Sequence, residues 1–128
     1  LEEKLWGSSI LGNLMSIKMQ NDWGDIYGIL DKFPSDEKYA LCSQIKRATT
    51  SIPINIAEGF GRFSSKEKAH FMEIAYGSLT ETLCELELAV ALGYINEKEY
   101  DIMEEQIIIV AKQLSKLHSS IIINAKNP

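Results

Sequence analysis

Apolar residues recur along this chain at intervals of three and four, the spacing of one face of an α-helix. Met15, Met19, Trp23, Ile26, Tyr27 and Leu30 share one such face and predict a first helix ending at Phe33-Pro34. A residue that precedes proline is pushed out of the helical region, which sets that stop. Leu41, Ile45, Ala48, Ile52 and Ile56 predict a second helix, with Ser35-Asp36-Glu37 as its cap and acidic first turn. Ser64, followed three residues on by Glu67, is a capping box that opens a third helix. Its stripe is Met72, Tyr76, Leu79, Leu83, Leu86 and Val90, closed by Gly93. Asn96 with Glu99 repeats the capping box and opens a fourth, with Met103, Ile107, Val110, Leu114, Leu117 and Ile121.

Three short connections make neighbours in sequence neighbours in space, and no strand pattern competes. The expected fold is all-α, an antiparallel up-down-up-down four-helix bundle over residues 15–123, followed by a frayed tail, 124–128. Residues 1–14 read as an N-terminal extension of uncertain order, where Gly7, Ser8, Ser9 and Gly12 interrupt the apolar positions. Met15 is a candidate natural start. The second helix holds an anomaly. Pro53 sits inside its apolar pattern, where it removes a backbone donor and crowds the previous turn, so a bend is expected there. Gly59 and Gly61 are expected to stop this helix by taking the left-handed conformation.

The chain has 128 residues, 45% of them hydrophobic and 24% charged, an ordinary balance for one globular domain. No apolar run reaches the ~18 residues of a membrane span, and the start lacks the pattern of a signal peptide. The cytoplasm is the expected location. The net charge of −5 counts against a domain built mainly to hold phosphates. Cys42 and Cys84 fit a reducing compartment and are expected as two core thiols.

Several apolar residues exceed what a bundle needs. Ile74, Leu88, Ile102, Ile108, Ile109, Ile122 and Ile123 fall off the main stripes and predict a self-association face. Matching heights across an antiparallel hairpin set Gln44 and Arg47 opposite Ser78 and Glu81, and Glu73 opposite Lys116. With Asn55 and Glu58 these form an expected polar layer in which Arg47 and Glu81 interact, fixing register rather than catalysing. Glu67-x-x-His70 has the spacing used by di-iron bundles, but it occurs once, so no metal and no cofactor are expected. No nucleophile–base–orienter set is visible. Gly59-Phe-Gly61 follows a helix rather than a strand and lacks a phosphate-loop lysine. The chain therefore reads as a non-enzyme.

Lys46, Arg47, Arg62, Lys66 and Lys68 form the one basic concentration, with Phe60 and Phe63 beside Arg62. On an acidic protein a solvated charge cluster is the simpler reading. Contact with single-stranded nucleic acid is the alternative, and a ring of subunits would repeat such a patch.

Phe33-Pro-Ser-Asp-Glu37, Leu41-x-x-Gln44-Ile-x-Arg47-Ala48, Ser51-Ile-Pro-x-Asn-Ile-Ala-Glu-Gly59, Arg62 and Gly77-Ser-Leu79…Leu92-Gly-Tyr94 occur in order. Together they resemble the four-helix bundle proteins encoded in intervening sequences of 23S ribosomal RNA genes, over about residues 15–120. Two departures stand out: Thr82 where the family tends to have leucine, and Trp23 in an unusual place. The resemblance implies a left-handed antiparallel bundle that assembles into rings, commonly pentamers, with no defined molecular role. Related to that family are the accessory variability proteins of diversity-generating retroelements, which look like ring-shaped and typically basic partners of a reverse transcriptase and its RNA. Arg47 and Arg62 match motif positions and are nominated for nucleic-acid contact, with Lys66 and Lys68 beside them. The expected function is thus a non-catalytic, ring-forming assembly or adaptor protein whose main partner is itself. The alternative is an RNA- or DNA-binding accessory factor with a reverse transcriptase as a partner.

Overall fold

The first helix, α1, spans Ile17–Leu30 in a computed structural model that describes residues 17–126, with side chains from Trp23 onward. A 3-10 turn at Ser35–Glu37 leads to α2 (Leu41–Phe60), α3 (Ser65–Ala91) and α4 (Glu97–Lys126). These four α-helices, with no strand, make the described residues all-α. The expected extension, 1–14, and the Met15 and Met19 side chains lie outside the described residues.

On α4 the six apolar positions read from spacing, Met103, Ile107, Val110, Leu114, Leu117 and Ile121, are all buried. Leu41, Ile45, Ala48, Ile52 and Ile56 are likewise buried on α2, joined by Cys42, Thr49 and Gly59. On α3 the buried line is Met72, Ala75, Leu79, Thr82, Leu86 and Ala89, which shares Met72, Leu79 and Leu86 with the expected stripe and replaces the rest. Tyr76 is exposed, and Leu83 and Val90 are only half-buried. Bulk misled the reading here: small residues alternate with large ones at three-four spacing, which lets neighbouring helices approach closely.

The α2–α3 and α3–α4 pairs make the most extensive contacts, while α1 rests on α4 and α2. Ser51 and Ser78 hydroxyls lie 2.9 Å apart, and the Arg47–Glu81 pair is at 3.9 Å. Between α3 and α4, His118 lies 3.5 Å from Glu73, two residues beyond the Lys116 expected. Near the other end of these helices Tyr100 donates toward Glu87 at 2.9 Å. Just past α1, Lys32 pairs with Glu99, and Gln106 donates to Asp25 of α1 at 3.4 Å. Rings of Phe33 and Tyr94, with centroids 5.3 Å apart, tie the α1–α2 connection to the α3–α4 turn.

Helix α2 starts later than the serine cap suggested. Ser35 opens the 3-10 turn, which has no side-chain cap, and Ala40, at φ −116° and ψ −103°, separates that turn from α2. The far end also differs. Gly59 lies inside the helix, and Gly61 ends it at φ −79° without a left-handed residue. Gly59 is needed for space instead: a Cβ there would collide with Met72 and stand 3.0 Å from Phe71 Cβ. The left-handed glycine is Gly93, at φ +78°. Gly93 N–H bonds Val90 O, and Tyr94 N–H bonds Ala89 O, each at 2.9 Å, the paired bonds of a Schellman stop.

Pro53 leaves its mark on the packing. It sits within α2 and has no N–H, so the carbonyl four residues back, Thr49, has no helical donor. The indole Nε1–H of Trp23 donates to that carbonyl at 2.8 Å. A buried carbonyl left unpaired would cost about 1–3 kcal/mol. The tryptophan in α1 thus supplies what the proline in α2 withholds.

The remaining helix starts follow their sequence signals. Ser64 Oγ accepts from Glu67 N–H at 3.1 Å. Asn96 and Glu99 bond each other's backbone N–H groups at 2.8 and 3.1 Å, the full reciprocal box.

Candidate functional site

Two groups of polar residues and one set of apolar residues are candidates. The first polar group lies where α2 faces α3. Asn55 Nδ2 donates to both Ser51 O and Ser51 Oγ at 2.8 Å, which fixes the serine against Ser78. Arg47 and Glu81 meet at 3.9 Å, but their side chains are 76% and 50% exposed. Such a pair contributes little stability. Glu58 pairs with Arg62, just past the end of α2, at 3.5 Å, and Gln44 is exposed. Of the six expected residues, Asn55 and Ser78 therefore meet through Ser51. Arg47 and Glu81 form a surface pair, and Glu58 turns toward the α2–α3 turn.

Beneath that surface lie groups that the spacing did not single out. Thr49 and Thr82 are fully buried, and Thr82 Oγ1 donates to Ser78 O at 2.9 Å, which suits a hydroxyl where leucine was expected. Glu85 is only 7% exposed, and neither carboxyl oxygen has a hydrogen-bond partner. Burial, then the charge of Glu81, push its pKa up to about 7, against the pull of Arg47. Burial of this kind favours the protonated carboxyl over the ion.

The second group surrounds the α2–α3 turn. The Arg62 guanidinium stands 4.7 Å from the Phe71 ring centroid. Lys68 lies over Phe60 at 5.9 Å and donates to its carbonyl at 3.4 Å. Lys66 is exposed, and Phe63 is wholly exposed beside Arg62. Arg62, Lys66 and Lys68 thus share one turn. Arg47 stands apart: the rest of α2, from Arg47 to Phe60, roughly 20 Å of helix, lies between it and the turn that holds Arg62.

Among the described residues no group of three or more histidines, cysteines or carboxylates could hold a metal ion. Glu67 serves through its backbone in the helix cap, and His70 is exposed. Cys42 is buried, its thiol pointing to Leu30 O at 3.8 Å and its pKa raised by burial. Cys84 is exposed, contrary to the expected core thiol. Height along the bundle matched, but Cys84 lies two residues from Leu86 and Thr82 and so on the outer side of α3. No helix among the described residues is long and apolar enough to cross a membrane.

The apolar set is the largest feature. Ile74, Leu88, Ile102, Ile108, Ile109, Ile122 and Ile123 are all exposed. On α4, Ile102, Ile109 and Ile123 follow one seven-residue line, with Ile108 and Ile122 on the line beside it, on the side away from the core. Neither line contributes to the buried cluster.

A family model described as 23S rRNA-intervening sequence protein matches residues 18–116. A crystal structure of a protein of unknown function from the S23 ribosomal protein family of Bacteroides thetaiotaomicron VPI-5482 is similar in shape, with a TM-score of 0.67. The likeness covers 79% of this chain and 94% of that one at 23% identity, and shows a shared fold. No curated protein matches the chain.

Proposed function

This chain belongs to the family of 23S rRNA-intervening sequence proteins, and from that premise we propose that it is a non-catalytic assembly or adaptor protein working as a homo-oligomer. Its helices are read as an antiparallel up-down-up-down bundle, with α2 bent at Pro53. The pairings Arg47–Glu81, Ser51–Ser78 and Gly59–Met72 support that reading, because numbers rise along one helix as they fall along the next.

The observation that carries the proposal is the double line of isoleucines on α4. An exposed Ile108–Ile109 and Ile122–Ile123 stripe leaves apolar surface in water, where burial against a second copy would yield about 25 cal/mol per Å². Ring closure, commonly of five subunits, follows the family resemblance. The test is substitution on the stripe. Ile109→Glu with Ile123→Glu should reduce a defined oligomer to monomers in native mass spectrometry while helical circular dichroism stays unchanged. An oligomer of unaltered size would overturn the proposal.

A second reading, an RNA- or DNA-binding accessory factor that partners a reverse transcriptase, draws on the α2–α3 turn. Arg62 and Lys68 lie over aromatic rings, with Phe63 free to stack and Lys66 beside it. Phosphate contacts weaken steeply with salt, so titration of single-stranded RNA at two salt concentrations tests it. Arg62→Glu should abolish binding, and Arg47→Glu should weaken it in an assembled ring; unchanged affinity in Arg62→Glu would remove this reading.

A further inference from the structure

The overall charge of −5 hides a separation along the bundle. Lys32–Glu99, Phe33–Tyr94 and Tyr100–Glu87 gather the α1–α2 connection, the end of α3 and the start of α4 at one end. That end carries Asp36, Glu37, Glu87, Glu97, Asp101 and Glu104, which outnumber its cations Lys38 and Lys98, while Lys32 pairs with Glu99. Tyr100 sharpens its charge: the hydroxyl lies 2.9 Å from both Glu87 and Glu104, and one proton cannot serve two carboxylates. At the opposite end Gly59–Met72, Phe60–Lys68 and Glu73–His118 gather the α2–α3 turn and the second half of α4. Here stand Arg62, Lys66 and Lys68, with Lys112, Lys116 and Lys126 along the second half of α4, outnumbering the acids Glu58, Glu67 and Glu73, of which Glu58 pairs with Arg62.

Each end also has an apolar anchor. Phe63 is wholly exposed at the basic end, and Tyr39 and Leu92 are exposed at the acidic end. The 30 residues of α4 span about 45 Å, several times the ~10 Å screening length at 0.1 M salt. The two ends therefore act as separate, opposite surfaces.

We propose that the basic end of one copy docks on the acidic end of a second copy of this chain, Phe63 seating against Tyr39 and Leu92. Both complementary surfaces are present on the same chain. Joining two different patches is a head-to-tail contact that repeats along the bundle axis. It goes beyond the lateral association through α4 and is separable from it, because ionic contacts are screened by salt and apolar ones are not. A nucleic acid would seek the same basic end, but it would meet the repulsion of the chain's net negative charge.

The experiment uses the full chain and two charge-reversed variants: Arg62→Glu with Lys66→Glu, and Glu97→Lys with Asp101→Lys. Their helicity is first verified by circular dichroism. In sedimentation velocity at about 0.05 M salt the wild type should grow beyond its size at about 0.5 M salt, with at least a tenfold difference in association constant. Each variant alone keeps only one of its two complementary ends and should not grow. An equimolar mixture should associate again by pairing the one end that each variant keeps, without growing further. Phe63→Ser, which leaves the charges intact, should weaken stacking several-fold.

A mixture that does not associate, or a wild type whose size ignores salt, overturns the inference. So does binding of a single-stranded RNA by wild type that shows no growth on its own. The size at high salt reports the lateral contact alone: a multiple of the monomer there, without growth at low salt, would leave the lateral reading intact while removing the stack.

Discussion

Trp23→Phe isolates the hydrogen bond that the proline in α2 makes necessary. The change keeps an aromatic ring against the core and removes the Nε1–H that reaches Thr49 O at 2.8 Å. With no N–H on Pro53 to take its place, that carbonyl loses its donor. The expected destabilisation is about 1–3 kcal/mol for the orphaned group, plus a smaller loss from the narrower ring. Pro53→Ala restores a helical N–H four residues on, so in that background Thr49 O keeps a partner when Trp23 is changed. Trp23→Phe should then cost less by about 1 kcal/mol, the coupling that a double-mutant cycle measures. Urea unfolding followed at the helical circular-dichroism band, with protein concentration fixed because assembly shifts apparent stability, gives all four values. Equal costs in the two backgrounds would refute the link between proline and tryptophan.

Gly59→Ala should destabilise by about 1–2 kcal/mol despite better helix propensity, because the new methyl meets Met72 and Phe71. Gly77→Ala, exposed on α3 with nothing within 4 Å of a new Cβ, should stabilise by about 0.5–1 kcal/mol in the same unfolding assay. Glu85, with its pKa raised from an ordinary 4.5 to about 7, favours the fold when protonated. Its contribution is complete below about pH 4.5 and declines as pH rises through about 7, by on the order of 3 kcal/mol in all. Glu85→Gln should therefore flatten the fall in stability between pH 5 and pH 8 that wild type displays; an identical slope in the variant would contradict the assignment. Asn96→Ala, which removes half of the reciprocal cap on α4, should cost about 1 kcal/mol, read as a drop in urea midpoint.

Periodicity carried most of the fold because α4 presents large apolar residues at every inward position and α2 does so at Leu41, Ile45, Ile52 and Ile56. It failed on α3, where Ala75, Thr82 and Ala89 face inward and Tyr76 faces out, because bulk is a poor guide where helices approach closely. The serine at position 35 was a sound capping signal, yet it opened a 3-10 turn; no local pattern announces the break at Ala40. Of the polar residues, Arg47 and Glu81 were legible from height along the hairpin. Ser51, which joins Asn55 to Ser78, was not, since hydroxyls carry no periodic signature. Trp23 did carry a signal as an odd residue for its place, and Pro53 carried another. Only the geometry between α1 and α2 joined them. Glu85 could have been suspected from its position three residues after Thr82 on the inward side of α3.

The central claim, that the α4 isoleucines are covered by further copies of the chain, is tested most directly by sedimentation equilibrium of the wild type at high salt across a dilution series. The account predicts a mass that is a fixed multiple of the 14.4 kDa chain and persists on dilution to low micromolar protein. A single species of 14.4 kDa at every concentration would contradict it.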